Sequence, residues 1–240
     1  MYPPALFPPH HSRFLERLAR RAGPALLAAL LSLSQAAFAT SASPAIDAPA
    51  RRADFAGARP SADSRRLAEW VVASNDNQDL PFIIVDKVNA QLLLFDGRGM
   101  VRAATSVLLG RARGDDSPPG IGDRPLSRIT PAERITPAGR FVASAGKNPD
   151  GQDIIWIDWG AALALHRATD VVPGLARRDR LARLASASLR DKRITYGCVN
   201  VSTDFYDRYV RPAFRATKGI VYILPETRPV HDLFPTLAAR

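Results

Sequence analysis

The stretch Arg193-Ile194-Thr195-Tyr196-Gly197-Cys198-Val199-Asn200-Val201 contains the single cysteine of this 240-residue chain and decides how the chain is interpreted. A thiol with its ordinary pKa of about 8.5 is mostly protonated at neutral pH, so it needs a nearby base or positive charge to become a good nucleophile. Gly197 has no side chain, which lets a substrate carbonyl approach the backbone, and the amide N–H of Cys198 could then bind a developing oxyanion. The stretch is therefore the candidate active site.

Residues 1–39 have the composition of a secretory signal peptide. They contain four arginines near the start, an apolar middle over residues 25–33 and a small-x-small cleavage site at residues 37–39. A membrane-spanning helix needs roughly 20 apolar residues, and Gly23, Pro24 and Ser32 interrupt the apolar stretch. The sequence therefore predicts an exported protein of the periplasm or cell envelope, with no stable membrane anchor after signal cleavage.

The single cysteine has three interpretations in an exported chain. It could form an intermolecular disulfide, fill a buried apolar position or act as a reactive thiol. Free cysteines are among the most often buried residues, and a Gly-Cys pair alone is common, so Cys198 by itself does not choose between them.

Composition limits the classes of function. The formal net charge of +10 favours an anionic environment such as a cell envelope, but basic residues do not alternate with stacking aromatics as in nucleic-acid modules, so no nucleic acid is expected as a partner. There is no G-x-S-x-G motif, and residues 120–122 lack the third glycine of a dinucleotide-binding loop. Two histidines beyond the signal and one cysteine are too few for a zinc cluster, so neither a cofactor nor a metal is expected.

Beyond the signal, the sequence predicts three regions. Residues 40–79 form a spacer, flexible over residues 40–62 and carrying a short helix over residues 64–74, residues 80–226 form a catalytic domain, and residues 227–240 form a C-terminal tail. Apolar and β-branched runs separated by turns predict an antiparallel meander followed by further strands. These runs are Phe82–Val85, Gln91–Phe95, Val101–Leu109, Gly139–Ala145, Ile154–Ile157, Ala161–His166 and Gly219–Leu224.

Two further helices are predicted in the second half of the chain. The segment Leu175–Ala187 is amphipathic and arginine-rich, with Leu181 and Leu184 three residues apart, and Thr203–Phe214 is a helix with Ser202 or Thr203 as its N-cap. The Gly- and Pro-rich residues 110–132 predict a long loop. The fold class expected from these elements is mainly β with a few helices.

Histidines narrow the choice of a base for the thiol. His10 and His11 belong to the signal, which leaves His166 and His231. His231 lies in a Pro-flanked tail, whereas His166 ends a strand-like run before a polar turn, where an active-site edge could lie. Because imidazole titrates near neutral pH, His166 is the predicted general base and acid for Cys198.

The motif resembles the L,D-transpeptidase (YkuD-type) catalytic family, in which a histidine is followed by Ser/Thr-His-Gly-Cys, a hydrophobic residue and Asn. Residues 195 and 197–200 match this signature, and residues 136–141, Thr-Pro-Ala-Gly-Arg-Phe, resemble the family's Thr-Pro-x-Gly-x-Phe segment. The resemblance covers roughly residues 80–224 and implies an L,D-transpeptidase-like β-sandwich or barrel.

The resemblance also implies roles for the matching residues. Cys198 would be the nucleophile and His166 its base, and Gly197, Tyr196, Thr195 and Asn200 would contact the substrate or the oxyanion. Two arginines, Arg193 and Arg178, are candidates to bind the carboxylates of the substrate. The implied reaction forms a cysteinyl thioester with the tetrapeptide stem of peptidoglycan and passes the acyl group to an amine.

Two departures from the family pattern leave alternatives open. Tyr196 stands where the family usually has histidine, and a phenol cannot take up a proton near neutral pH, so Tyr196 would orient substrate or stabilise the oxyanion. The 28 residues between His166 and Thr195 are about twice the usual number, which indicates an inserted arginine-rich helix that is either a lid or a solvated helix. The alternative functions are an L,D-carboxypeptidase and a catalytically silent peptidoglycan-binding protein of the envelope.

Overall fold

The computed structural model describes residues 51–168 and 177–237. The predicted signal peptide at residues 1–39 lies outside the described residues, as does the first part of the predicted spacer. Within the described residues no helix is long and apolar enough to cross a membrane.

Eight strands form one sheet in the order β3-β2-β1-β10-β5-β6-β7-β9, and β4 pairs with β8 in a separate parallel ladder. The backbone of Leu108, just after β3, exchanges two hydrogen bonds of 2.9 Å with Asn200 in β9, so the two ends of the sheet meet and the sheet nearly closes. The mainly β fold class is confirmed. The strands are β1 (Phe82–Asp86), β2 (Gln91–Phe95), β3 (Val101–Ser106), β4 (Leu109–Gly110), β5 (Gly139–Lys147), β6 (Asp153–Asp158), β7 (Leu163–Arg167), β8 (Arg193–Thr195), β9 (Val199–Val201) and β10 (Gly219–Ile223).

Helices are short and lie outside the sheet ladder. Residues 203–214 form one continuous helical segment that contains a π-helical turn at Tyr206–Val210, and the Ser202 hydroxyl caps it by accepting a hydrogen bond from the backbone N–H of Phe205. The α-helices are α1 (Ala62–Ser74), α2 (Arg177–Ala185), α3 (Thr203–Phe205), α4 (Arg211–Phe214) and α5 (Val230–Leu233). The 3₁₀-helices are Ile121–Asp123, Leu126–Arg128, Pro131–Glu133, Leu189–Lys192 and Pro235–Leu237.

The two faces of β1 are both buried because each is covered by a different set of apolar side chains. Ile83 and Val85 belong to the core inside the curled sheet, into which the helical segment 203–214 also packs. Phe82 and Ile84 project to the opposite face, where α1 and the C-terminal segment cover them. A strand buried on both faces shows no polar alternation, which explains why the segment reads as a continuous apolar run.

The packed unit is larger than residues 80–226, the interval expected for the catalytic domain. Phe55 is buried against Phe95 with ring centroids 6.0 Å apart, and Asp54 forms a β-bridge with Met100. At the other end Phe234 is buried beside Tyr222. Within the spacer expected over residues 40–79, Asp54 and Phe55 thus contact the sheet, because the apolar ring of Phe55 packs on Phe95.

The loop after β4 is held to the sheet by a buried ion pair. The Lys87 ammonium, 0% exposed in its side chain, lies 2.7 Å from Asp115 Oδ1 and also donates to the carbonyl oxygens of Gly114 and Thr136. Burial opposes ionisation of both partners and lowers the pKa of Lys87, but hydrogen bonds from Lys87 and Thr227 hold the pKa of Asp115 below its usual range. Lys87 thus holds the loop at Gly114, Asp115 and Thr136.

Candidate active site

The candidate base lies on β7, and the candidate nucleophile comes directly before the neighbouring parallel strand β9. In the β7–β9 ladder Leu165 pairs with Val199 and His166 pairs with Asn200. Paired residues project to the same face, so Leu165 and Val199 face the core while His166 and Asn200 face outward. Cys198 precedes Asn200 by two residues, so the strand alternation, continued by one residue, directs it to the same outer face.

A turn built by two threonine hydroxyls presents Cys198. The Thr195 hydroxyl accepts from the backbone N–H of Gly197 at 3.2 Å and donates to the carbonyl of Cys198 at 2.7 Å. The Thr136 hydroxyl donates to the carbonyl of Gly197 at 2.6 Å and accepts from the N–H of Gly110 at 2.8 Å. Both threonines are buried, so the turn is held from inside the protein.

Gly197 is required by the geometry of this turn. Its φ is +141°, a conformation that residues with a side chain rarely adopt, and a Cβ at this position would lie 2.8 Å from the carbonyl oxygen of Ile135. The sequence analysis expected a glycine that lets substrate approach. The structure adds that the glycine also allows the cysteine turn to contact the segment before β5.

The backbone N–H groups of the cysteine turn have different partners. The N–H of Gly197 is occupied by the Thr195 hydroxyl. The N–H of Cys198 interacts with the sulfur of the same residue, which acts against the rise in the thiol pKa caused by burial. The backbone amide of Cys198 is the donor of this turn for which a negative substrate oxygen would compete.

Hydrogen bonds fix the tautomer of His166. Nδ1 lies 2.9 Å from the carbonyl oxygen of Arg167, and a carbonyl can only accept, so Nδ1 carries the proton. Nε2 lies 3.0 Å from Asn200 Nδ2, which donates to it. The Asn200 Oδ1 in turn accepts from Arg180 Nη1 at 2.8 Å. The imidazole is neutral in this arrangement, with its basic lone pair on Nε2.

The thiol and the imidazole are both held in their neutral forms. Burial raises the pKa of Cys198 and lowers the pKa of His166, because both charged forms lose hydration. In the described structure the Cys198 sulfur hydrogen bonds to the carbonyl oxygen of Ala162 at 3.5 Å, and the His166 ring bonds to Arg167 and Asn200. Direct proton transfer between the two therefore requires the Nε2 lone pair to be released from Asn200.

The inserted helix α2 packs against the site. Arg180 is buried, and Leu184 lies in an apolar cluster with Leu108 and Ala168. Lys192 is buried as well and donates to the carbonyl oxygens of Arg183 and Leu184 at the end of the helix. The sequence left a lid and a solvated helix as alternatives for this insertion; in the structure Arg180 and Leu184 are buried, and the other side chains described in α2 are partly or fully exposed.

Arg180 is the site residue that the sequence analysis missed. The pair Leu181 and Leu184 was expected to face the protein, but Leu181 is 44% exposed. The buried face is formed by Arg180 and Leu184, which are four residues apart and so lie on the same side of a helix. The four-residue spacing of Arg180 and Leu184 is the feature of the sequence that could have predicted this buried face. It was missed because arginine is normally assigned to the solvent-exposed side of a helix.

Several other expected site residues have different partners. Tyr196 packs its ring 3.8 Å from the guanidinium of Arg134, in the loop before β5. Arg193, expected to contact a substrate carboxylate, forms two hydrogen bonds of 3.0 and 2.5 Å with the buried carboxylate of Glu226. His231 lies on α5, with Nε2 3.5 Å from its neighbour Asp232. The side chain of Arg178 lies outside the described residues.

Two tryptophans border the site on the outer face of the sheet. Trp156 pairs with Ala164, the residue two positions before His166, and therefore projects to the same face. Its ring stacks on Trp159 at a centroid distance of 4.0 Å, and Trp159 is 69% exposed. The face that carries Cys198 and His166 thus has an apolar, solvent-exposed edge.

No metal centre is found among the described residues, since they contain no group of three or more His, Cys, Asp or Glu side chains that could hold an ion. The chemistry available at this site is that of a thiol, a neutral imidazole, an amide side chain, a guanidinium and one backbone N–H.

Comparison with known proteins gives similarity at the level of structure. No protein-family model and no curated protein matches the chain. The helical cell shape determining protein Pgp2 from Campylobacter jejuni aligns over 62% of this chain and 49% of its own, with a TM-score of 0.40 and 12% identity. The catalytic domain of the L,D-transpeptidase from E. faecium aligns over 61% of this chain and 98% of its own, with a TM-score of 0.33 and 18% identity.

A third solved structure, L,D-transpeptidase 1 from Mycobacterium tuberculosis, aligns over 60% of this chain and 62% of its own, with a TM-score of 0.31 and 16% identity. The chain spans about half the length of Pgp2. The chain itself is a mainly β protein with a nearly closed sheet.

Proposed function

We propose that this protein is a cysteine-dependent acyltransferase that acts on peptidoglycan stem peptides in the manner of an L,D-transpeptidase. The observation that supports the proposal is the pairing of β7 with β9, in which His166 lies opposite Asn200, two residues after Cys198. A thiol, a base and an oxyanion donor within one surface are the parts that acyl transfer needs.

The acylation step follows from these groups. His166 Nε2 leaves Asn200 and takes the proton of the Cys198 thiol, and the thiolate then attacks the carbonyl carbon of the stem peptide. The carbonyl oxygen becomes negative and binds the N–H of Cys198. The tetrahedral intermediate collapses when the C–N bond breaks and the Nε2 proton passes to the leaving amine, which the family resemblance identifies as that of a terminal D-alanine. A thioester on Cys198 remains.

The second step reverses the proton transfers. An acceptor amine attacks the thioester carbon and gives a proton to His166 Nε2, the C–S bond breaks, and the sulfur takes the proton back. If water takes the place of the amine, the same site acts as an L,D-carboxypeptidase.

The neutral resting state suits this sequence of steps. A buried thiolate beside a buried imidazolium would lose hydration in both partners, so the proton stays on sulfur until substrate is bound. A thiol that is protonated at rest is also a poorer target for oxidants in the envelope than a thiolate.

The proposal is tested by acylation with a carbapenem, a compound that resembles the acylated substrate. The full chain is incubated with the compound and its mass is measured. We expect one covalent adduct in the wild type, none in Cys198→Ala, and an adduct that forms at least about a hundredfold more slowly in His166→Ala, because a general base contributes on the order of 10²–10⁴ in rate. Circular dichroism confirms that each variant is folded.

Two results would refute the acyltransferase. A wild type that gains no mass would remove the covalent step, and a His166→Ala variant that reacts at the wild-type rate would remove the base.

One observation favours a second candidate function, a catalytically silent peptidoglycan-binding protein. In the described structure the lone pair of His166 is occupied by Asn200 and the thiol bonds to Ala162, so the catalytic pair is not joined. A silent protein would sediment with purified peptidoglycan and show no adduct, whereas an enzyme shows the adduct.

A further inference from the structure

Arg180 is a buried arginine whose guanidinium contacts the amide of Asn200, which in turn contacts His166. It comes from the inserted helix α2 and reaches across to β9, where its Nη1 donates to Asn200 Oδ1 at 2.8 Å. Both partners are almost fully buried, at 4% and 0% exposure. A hydrogen bond from a charged donor in such surroundings is stronger than one between neutral groups, so it defines the orientation of the amide.

The orientation of Asn200 determines which form of His166 can exist. A guanidinium has only donors, so the oxygen of the Asn200 amide must face Arg180. The NH₂ group then faces His166 Nε2, at 3.0 Å. Because NH₂ can only donate, Nε2 must be an acceptor, which excludes the imidazolium and leaves the tautomer with its proton on Nδ1.

We propose that Arg180 is a positioning residue that acts through Asn200 to keep His166 neutral, with a basic lone pair on Nε2, before substrate binds. This inference rests on the proposed function for its catalytic meaning, although the effect on His166 can be measured without any substrate. In the acyltransfer cycle the lone pair accepts the thiol proton, and the imidazolium that results is a strong acid toward the leaving amine because Arg180 lies close to it.

The groups that surround His166 agree with this assignment. From β7 the carbonyl of Arg167 accepts the Nδ1 proton, while the guanidinium of Arg167 is paired with Asp153 and Asp207. From β9 the ring faces the amide of Asn200. From α2 the ring faces Arg180. Burial lowers the pKa of His166, and the positive charge of Arg180 lowers it further.

The test is a proton NMR titration of the full chain, in which the His166 Cε1–H signal is assigned by its loss in His166→Gln. We expect the wild-type His166 pKa to lie below the ordinary value of about 6.5. Arg180→Met removes both the donor and the charge, so the His166 pKa should rise. Arg180→Lys keeps both and should stay close to the wild type, and Arg180→Gln keeps a donor without the charge and should fall between them.

A second variant approaches the same contact from the opposite side. Asn200→Asp replaces the donor that faces Nε2 with a carboxylate that accepts from Arg180 and from a protonated ring, so the His166 pKa should rise even though Arg180 is present. Arg183→Met is the matched control, because Arg183 lies on the same helix, is 38% exposed and pairs with Asp191 at 3.8 Å. It should leave the titration unchanged.

Kinetic measurements separate positioning from folding. In carbapenem acylation Arg180→Met should lower the maximal rate by about tenfold, because a general base contributes on the order of 10²–10⁴ in rate and the variant loses part of that contribution. The carbapenem concentration that gives half of the maximal rate should change little. Its pH profile should shift toward higher pH together with the His166 pKa. Arg180→Lys should restore most of the rate.

The outcomes distinguish the two proposals. If His166 titrates alike in the wild type, Arg180→Met and Asn200→Asp, the positioning inference is wrong, whatever the acylation shows. If Arg180→Met does not fold, Arg180→Gln decides the same question, because it removes the charge and keeps a donor. If the titrations shift as expected but the wild type forms no adduct, the contact is real and the proposed function is the part that fails.

Discussion

At the scale of single residues, the site depends on groups whose hydrogen-bonding roles are unambiguous. The hydroxyls of Thr136 and Thr195 each accept from one backbone N–H and donate to one backbone carbonyl, so they close the turn around Cys198 without leaving a buried polar group unpaired. The sequence marks Thr195 through the family signature. Thr136 lies in the segment that resembles the family's Thr-Pro-x-Gly-x-Phe pattern. Its hydrogen bond to the carbonyl of Gly197 is seen only in the folded chain.

Gly197 provides a prediction at this scale. Gly197→Ala should destabilise the protein by about 1–3 kcal/mol and abolish carbapenem acylation, because an alanine at φ +141° is strained and its Cβ would lie 2.8 Å from the oxygen of Ile135. The change is measured by denaturant unfolding and by adduct mass. Gly151→Ala is the control, since Gly151 also has a positive φ of +78° but has nothing within 4 Å of the added Cβ. Equal effects of the two substitutions would show that contact with Ile135 is unimportant.

At the scale of elements, the inserted helix α2 connects packing with chemistry. Its apolar anchor is Leu184, which packs with Leu108 and Ala168, and its polar contribution is Arg180, one turn earlier. Leu108 is also the residue whose backbone pairs with Asn200. Asn200 therefore connects helix α2, through Arg180, with the bridge that closes the sheet and with His166. Loosening the helix should change the position of the His166 ring.

Leu184→Ala tests this connection. We expect a loss of roughly 2 kcal/mol, at the low end for a buried leucine because the cluster is small and close to the surface. Hydrogen exchange should accelerate in residues 177–185, and carbapenem acylation should slow. The matched control is Leu181→Ala, on the same helix but 44% exposed. If the two variants exchange and react alike, α2 does not support the site.

At the scale of the whole molecule, a buried charge cluster joins distant parts of the chain. Lys87 follows β1, Asp115 lies in the long loop and Glu226 follows β10, and Arg193 pairs with Glu226 just before the cysteine turn. Buried charges are costly to leave unpaired. The cluster therefore holds the loop, the end of the sheet and the strand β8 in one arrangement around the site.

Lys87→Met should destabilise the protein by about 3–5 kcal/mol, since two buried carboxylates lose their shared cation. Chemical denaturation measures the loss. Arg66→Met, which breaks the exposed pair with Asp63, should change stability by less than about 1 kcal/mol.

The pH dependence of this cluster has a definite sign. Because the pKa of Asp115 is held below its ordinary value in the folded state, its contribution is complete above that ordinary value and is lost as the pH falls toward the folded pKa. The difference between wild type and Lys87→Met should therefore shrink in acid. A difference that grows below pH 4 would contradict the assignment.

The sequence predicted most of the elements because their signals are local. The apolar runs of β1 and β2, the i, i+3, i+4 pattern of α1 and the cap at Ser202 are read from a few neighbouring residues, and the structure confirms them. The cysteine stretch likewise contains the candidate nucleophile, Cys198, because the chain has a single cysteine. The candidate base was found by elimination among the histidines, and in the β7–β9 register it pairs with Asn200, two residues after Cys198.

The sequence by itself determined the mainly β class, the longer strands and helices and the pair Cys198 and His166 as candidates, because each depends on residue type or short-range periodicity. Only the tertiary structure decided that Arg180 enters the site, that Arg193 is neutralised by Glu226 and that Phe55 packs on the sheet. The physical reason is the same in all three cases. Whether a charge or an apolar ring is buried depends on a partner many residues away, and no local pattern records which partner the folded chain supplies.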